Sequence, residues 1–206
     1  MYKSSFTVKI LSGVLIIIAL MVFRPLASIG LDEMPKFKDY VSSGNYFKCS
    51  IPAEWSVYDP GFGLSEEEKK VYGVTLFGPQ NGSQVSSLIS IHYYAPGNLL
   101  HKTMDEFIRI HAEPVFGLES EGESYSKVSQ IKIAGRVAKT FERIDIRFIG
   151  KRAIKIPKVS IYEKFIVIPD GKAGGFYVLQ LSVPVDIKNK YTGIFAETAK
   201  SFLPEI

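Results

Sequence analysis

Apolar and polar residues alternate along several stretches of the chain after residue 44, and this two-residue period predicts β-strands. The clearest case is residues 46–51, where Phe47, Cys49 and Ile51 fall on one face and polar residues on the other. We expect Cys49 to pack there as a small apolar side chain. Further strands are predicted at residues 55–58, 74–77, 85–94, 128–133, 137–148, 159–168 and 176–183.

Two segments carry the longer period of helices. Thr103 and Glu106 form a capping box, in which each side chain satisfies a backbone amide at the start of a helix. This helix is expected to end near Ala112, before Pro114. A second helix is predicted to begin with Asp186 as its N-cap. Its apolar stripe consists of Tyr191, Ile194, Phe195, Thr198 and Phe202.

The order of these elements indicates the fold class. Several strands joined by short turns precede each helix, and consecutive strands of this kind pair in an antiparallel manner. The sequence therefore predicts an α+β fold, a mainly antiparallel sheet with helices packed on both faces. Residues 45–206 are expected to form one globular domain, and residues 31–44, which mix charges with Pro35 and end in Ser-Ser-Gly, to form a linker.

The N-terminal segment has the pattern of an export signal. Residues 10–23 carry no charge and lie between Lys9 and Arg24. The small residues Ser28 and Gly30 fit a signal peptide cleaved after Gly30, but with Arg24 at the interface the apolar stretch also reaches the length of a membrane anchor. The sequence leaves both alternatives open, and in both of them the remainder of the chain is exported to the periplasm or another extracytoplasmic space.

The amino-acid composition and the absence of catalytic motifs exclude several classes of protein. The chain has 206 residues, 46% of them hydrophobic and 13% aromatic, which excludes a disordered chain. Cys49 is the single cysteine, so a disulfide scaffold is excluded as well. No G-x-S-x-G, H-E-x-x-H, Walker A or G-x-G-x-x-G pattern occurs. We therefore predict no cofactor and no enzymatic activity, although a catalytic site assembled from distant positions would escape this test.

Positive charge is concentrated in one part of the sequence. The formal net charge is +4, but the three basic residues before residue 31 contribute most of it. Residues 127–164 contain eleven Lys and Arg and only three acidic residues, so the rest of the exported part is acidic. A binding partner of opposite charge or two solvated faces would each account for this separation.

The basic segment supplies the candidate site residues. On the strand predicted at residues 137–148, Lys139, Arg143 and Arg147 share one face. The following connection adds Lys151, Arg152 and Lys155. These six residues are predicted to bind an acidic protein, an anionic membrane surface or another anion. Nucleic acid is not an expected partner of an exported domain. The alternative is a charged sheet edge that resists aggregation.

The three histidines give little support for a metal site. His101 and His111 are ten residues apart, about 15 Å along a helix, so the sequence predicts that they do not bind one metal ion. His92 lies on a predicted strand, either under a helix or facing solvent. Metal binding near these residues is the weaker hypothesis, and buried or solvated histidines are expected.

Three segments resemble the PsbP-like family. The segment YFKCSIPAEW at residues 46–55 is similar to the opening of these domains, and IAGRVA at residues 133–138 to their central strand pair. The segment FYVLQLSVP at residues 176–184, followed by a helix ending at Phe202, is similar to their close. The resemblance implies an α/β/α sandwich and a non-catalytic accessory, assembly or binding role.

Together these observations predict a non-catalytic extracytoplasmic accessory or interaction protein at or near the membrane, which engages an acidic partner through its basic surface. Membrane association would run through residues 10–23. The alternative is a periplasmic protein that binds a small ligand or metal, and an enzyme is the third hypothesis.

Overall fold

The computed structural model describes residues 34–58, 65–79, 85–115, 117–149, 158–171 and 174–205. The predicted export segment lies outside these ranges, as do Lys151, Arg152 and Lys155. Within them, no helix has the length and apolar character needed to cross a membrane.

Short turns between β-rich segments produce a mainly antiparallel structure, as expected. The strands are β1 (Phe37–Val41), β2 (Phe47–Pro52), β3 (Ser56–Tyr58), β4 (Val71–Phe77), β5 (Leu88–Tyr94), β6 (Ser124–Tyr125), β7 (Ser129–Ile133), β8 (Arg136–Phe148), β9 (Lys158–Pro169), β10 (Phe176–Pro184) and β11 (Leu203–Pro204). The helices are α1 (Glu66–Lys69), α2 (Met104–Ala112) and α3 (Lys188–Ser201).

The strands form two sheets. The larger sheet has the order β3-β4-β5-β10-β9-β8-β6, with β7 also paired to β8, and the smaller has the order β1-β2-β11. Every pairing between the described strands is antiparallel. The prediction of an α+β fold is confirmed.

Helices cover both faces of the larger sheet because alternate strand residues point to opposite sides. On one face, residues such as Leu179 and Leu181 join the core that contains Phe195 of α3 and Phe47 of β2. On the other, Phe107 of α2 packs with a second group of buried residues. This group includes Phe141, Phe165, Val167, Phe176 and Val178. Neighbouring residues of one strand therefore pack into different cores on opposite faces of the sheet.

Strand β1 lies inside the segment predicted to be a linker. It pairs with β2 from Phe37 opposite Pro52 to Val41 opposite Lys48. Phe37 and Tyr40 pack against the main core, and this burial outweighs the polar, Pro-containing character of the local sequence.

The two predicted helices form with different caps from those expected. The Oγ1 atom of Thr103 accepts a hydrogen bond from the Glu106 amide, 3.1 Å away, but the Glu106 carboxylate accepts from the Lys102 amide instead of that of Thr103. Asp186 lies in a 3-10 turn, Val185–Ile187, and α3 begins after it without a side-chain cap. The apolar stripe of α3 is buried as predicted, so packing rather than the cap fixes this helix.

Candidate functional site

The predicted basic face of β8 contacts a buried carboxylate. Arg143 lies opposite Glu163 of β9 in the strand register, and its Nε donates to Glu163 Oε2 at 2.6 Å. An Nη atom of Arg147 donates to the other carboxylate oxygen at 2.8 Å and to the Ser182 hydroxyl at 3.2 Å. Gln180 Nε2 completes the set at 3.1 Å from Oε1. The side chain of Glu163 is only 1% exposed.

This contact reduces the positive charge that the β8 face presents. Glu163 neutralises one of the two arginines, and Asp145 lies between them on the same face of the strand. The side chain of Arg143 is 19% exposed and that of Arg147 is 38% exposed. Lys139 is partly buried further along the strand. Partner binding through these residues, and through the three in the undescribed connection, stays a prediction.

A second basic site lies on the opposite face of the sheet. A groove of about 360 Å³ is present where residues of β7, β9 and α3 meet. Its apolar lining consists of Ile131, Ile133, Ala134, Ile166, Phe195, Ala196 and Ala199. The alanines of α3 keep the groove open because a larger side chain at either position would fill it.

Lysine residues from three elements border this groove. Lys164 of β9 and Lys200 of α3 line it, together with Lys132 of β7 and Thr192 of α3. Because Thr192 and Lys200 are eight residues apart on one helix, the groove extends for about 12 Å. Lys164 donates to Glu142 at 3.0 Å, and Lys200 lies 3.8 Å from Glu197 with its side chain 77% exposed. The groove thus combines an apolar floor with the accessible ammonium groups of Lys164 and Lys200.

Sequence reasoning placed Lys164 within the basic segment but did not select it as a site residue. Its relation to Lys200 depends on the packing of α3 against β9, which joins positions 36 residues apart in the sequence. The detectable signal was Ala199, a small residue beside the apolar stripe of the helix and buried in the structure. A small residue on a buried helix face indicates a close approach or a cavity.

The prediction that His101 and His111 lie far apart is wrong. Their ring centroids are 5.6 Å apart, and both rings contact Phe107. The reason is a turn before α2, in which the Asn98 side chain binds the backbone of His101 through both its oxygen and its nitrogen. His101 precedes the helix and folds back over its first turns, so the helical rise does not set the distance.

The histidine pair is enclosed by aromatic side chains. Burial, together with the neighbouring Arg143 and His101, lowers the pKa of His111 to about 4. Burial also lowers the pKa of His101. Both Nδ1 atoms are buried and have no hydrogen-bond partner within the part of the chain that the structure describes. Among the described residues, no three His, Cys, Asp or Glu side chains are grouped as metal ligands.

Comparison with known proteins gives structural matches only. No protein-family model matches the chain, and no curated protein is significantly similar to it. A Bacteroides thetaiotaomicron structure matches 84% of this chain at 11% identity with a TM-score of 0.44. This chain spans 50% of the length of that protein.

Two further solved structures match over nearly their whole length. Cyanobacterial PsbP (CyanoP) from Synechocystis covers 87% of this chain and is matched over 99% of its own, at 14% identity and a TM-score of 0.47. The Ran-binding protein Mog1p of Saccharomyces cerevisiae covers 82% of this chain and is matched over 96% of its own, at 10% identity and a TM-score of 0.46. A PsbP structure is therefore among the solved structures that match this chain.

Proposed function

We propose that this protein is a non-catalytic extracytoplasmic accessory protein that binds an acidic partner in the groove between β7, β9 and α3. The observation that carries the proposal is the apolar groove bordered by Lys164 and Lys200. Apolar burial supplies affinity at such a site, and the charges that border it select the partner and fix its register.

The present partners of the two lysines do not block this role. Glu142 and Glu197 have side chains that are 43% and 50% exposed, and ion pairs this accessible contribute about 1 kcal/mol or less to stability. A carboxylate of the partner can therefore replace either one at little cost. Apolar contacts on the floor of the groove then supply a net gain.

The cellular location follows from the sequence pattern. Residues 10–23 have the composition of a signal peptide or membrane anchor, so the domain is proposed to act outside the cytoplasm and close to a membrane. The acidic partner would then be another exported or membrane-bound protein. This location brings the groove and its partner into the same compartment.

Charge reversal in the groove is expected to abolish partner capture. The full chain, cross-linked in native membranes and purified by affinity, should recover one stoichiometric acidic protein. Lys164→Glu combined with Lys200→Glu should lower that recovery at least about tenfold, since two attractions become repulsions. Recovery is measured by quantitative mass spectrometry, and circular dichroism should show an unchanged fold.

The matched control reverses two charges elsewhere. Lys139→Glu with Lys158→Glu alters the same net charge at β8 and at the start of β9, and should leave recovery within about twofold of the wild type. Loss of recovery in this control, with retention in the groove variant, would transfer the binding role to the predicted β8 surface. Unchanged recovery in both variants would refute electrostatic capture by either site.

A further inference from the structure

We propose that the partner binds as an extended strand that pairs with the outer edge of β7. The side chains that this strand directs into the groove are, in order, acidic, apolar and acidic. This inference rests on the proposed function and specifies the conformation and side-chain pattern of the bound segment.

The hairpin between β7 and β8 determines which backbone groups face outward. Ile133 lies opposite Arg136, and the two-residue turn between them, Ala134 and Gly135, has φ values of 50° and 76°. Such a turn is closed by a hydrogen-bonded pair. Hydrogen-bonded and non-hydrogen-bonded residue pairs then alternate along the two strands. The backbone amide and carbonyl of Ile131 therefore form hydrogen bonds with β8, whereas those of Gln130 and Lys132 point away from β8.

The backbone hydrogen bonds of the neighbouring part of β8 follow the same alternation. The Ser126 amide donates to the Glu142 carbonyl at 2.9 Å, which shows that even-numbered residues of β8 direct their backbone groups toward β6 and β7. Within the described ranges, β7 pairs with β8 alone, and both Gln130 and Lys132 are exposed. The outer edge of β7 therefore offers two donors and two acceptors to an added strand.

This edge adjoins the groove. Ile131 and Ile133 line the groove, while the backbone groups of Gln130 and Lys132 between and beside them point outward. A strand added there places every second side chain on the groove side. Positions i and i+4 of that strand are about 13 Å apart, close to the length of the groove between Thr192 and Lys200. We assign acidic residues to these positions, so that both carboxylates lie on the groove side with Lys164 and Lys200, and an apolar residue to position i+2, where it covers the apolar floor.

The positive charge of Lys132 favours an added partner strand over a second copy of this chain at the β7 edge. Edge-to-edge pairing of two β7 strands would bring Lys132 of one copy near Lys132 of the other, and like charges on adjacent strands are unfavourable. A partner strand with uncharged residues on the Lys132 face and acidic residues on the groove face avoids this repulsion. The edge is therefore suited to a partner strand and opposed to self-association.

A proline substitution tests strand addition without disturbing the hairpin. Lys132→Pro removes an amide that points outward and so breaks no hydrogen bond between β7 and β8. Lys132→Ala removes the same charge and keeps the amide. The probe is the synthetic peptide Thr-Glu-Thr-Val-Thr-Glu-Thr with blocked ends, titrated against the full chain by calorimetry. We expect the proline variant to bind about tenfold more weakly than the alanine variant, since it loses a backbone hydrogen bond and clashes with the added strand.

Hydrogen exchange supplies a readout that needs no variant. On peptide binding, the amides of Gln130 and Lys132 should become protected, whereas that of Ile131 should change little because β8 already binds it. A peptide of the same composition with its glutamates adjacent should bind about tenfold more weakly, since only one of them reaches a lysine.

The outcomes separate this inference from the proposed function. Equal binding by the proline and alanine variants, with binding lost in the variant carrying Lys164→Glu and Lys200→Glu, overturns strand addition and leaves the groove as the site. Binding unaffected by all of these changes overturns both proposals. Failure of the wild-type chain to bind the peptide at millimolar concentration overturns the side-chain pattern inferred here, while partner recovery still tests the groove.

Discussion

Replacement of Glu163 by glutamine is expected to lower the free energy of unfolding by about 3 kcal/mol. The carboxylate is buried and receives hydrogen bonds from Arg143, Arg147 and Gln180. Glutamine keeps the size of the side chain but removes the negative charge, so two partly buried guanidinium groups lose their counter-charge. Its amide nitrogen also faces donors instead of acceptors, which leaves hydrogen bonds unmade.

Urea unfolding followed by circular dichroism measures this loss, and Glu142→Gln is the matched control. Glu142 makes the same kind of contact between the same two strands, 3.0 Å from Lys164, but on the opposite face of the sheet and half exposed to solvent. The control should cost less than about 1 kcal/mol. Equal losses in the two variants would contradict the interpretation of Glu163 as a buried structural anchor.

Acidification is expected to destabilise the domain before its carboxylates titrate. Burial lowers the pKa of His92 to about 4, and burial together with Arg143 and His101 lowers that of His111 to about 4. A folded-state pKa below the unfolded value near 6.5 means that the native state favours the neutral ring. This contribution is fully present above pH 6.5 and is lost as the pH falls toward 4. Between pH 7 and 5, each histidine should account for a loss of up to about 2 kcal/mol.

The histidine substitution that isolates this effect is His111→Phe. The ring of His111 packs against Phe107 and Phe165, so an aromatic replacement preserves much of the contact. The free energy of unfolding, measured from pH 7.5 to 5, should fall less steeply in the variant than in the wild type. His101, whose pKa is also lowered by burial, contributes to the slope that remains. Parallel pH dependences in the two proteins would exclude His111 as a source of the acid sensitivity.

The consecutive residues Glu163 and Lys164 are expected to affect different properties, the first stability and the second partner binding. Because strand residues alternate, Glu163 points to the α2 side of the sheet and Lys164 to the α3 side. A change at Glu163 is therefore expected to alter the free energy of unfolding, and a change at Lys164 to alter partner capture. The two properties can be tested independently although the residues are adjacent in the sequence.

Local patterns predicted most of the secondary structure. The alternation of residues 46–51 placed β2 and the burial of Cys49 correctly, and Thr103 and Pro114 bracketed α2. The prediction failed where a contact distant in sequence decided the outcome. Strand β1 forms because β2 and the core lie beside it, and a pattern search over residues 31–44 cannot include that partner.

The sequence predicted the geometry of the candidate sites less well than it predicted the secondary structure. The spacing of Arg143 and Arg147 correctly placed both on one face, but only the register between β8 and β9 brings Glu163 between them. Similarly, ten residues between His101 and His111 give no information on their distance once a turn reverses the chain before the helix. Charge and spacing along one strand do not specify what the adjacent strand contributes.

Local sequence patterns encode the order of strands and helices, their apolar faces and the excess of positive charge after residue 127, because each depends on residues close together in the chain. Contacts between distant elements establish which charges are neutralised and which remain accessible. Strand register places Glu163 against the arginines of β8, and the packing of α3 brings Lys200 to the same groove as Lys164. Both depend on contacts between residues far apart in the chain, whose geometry no local pattern encodes.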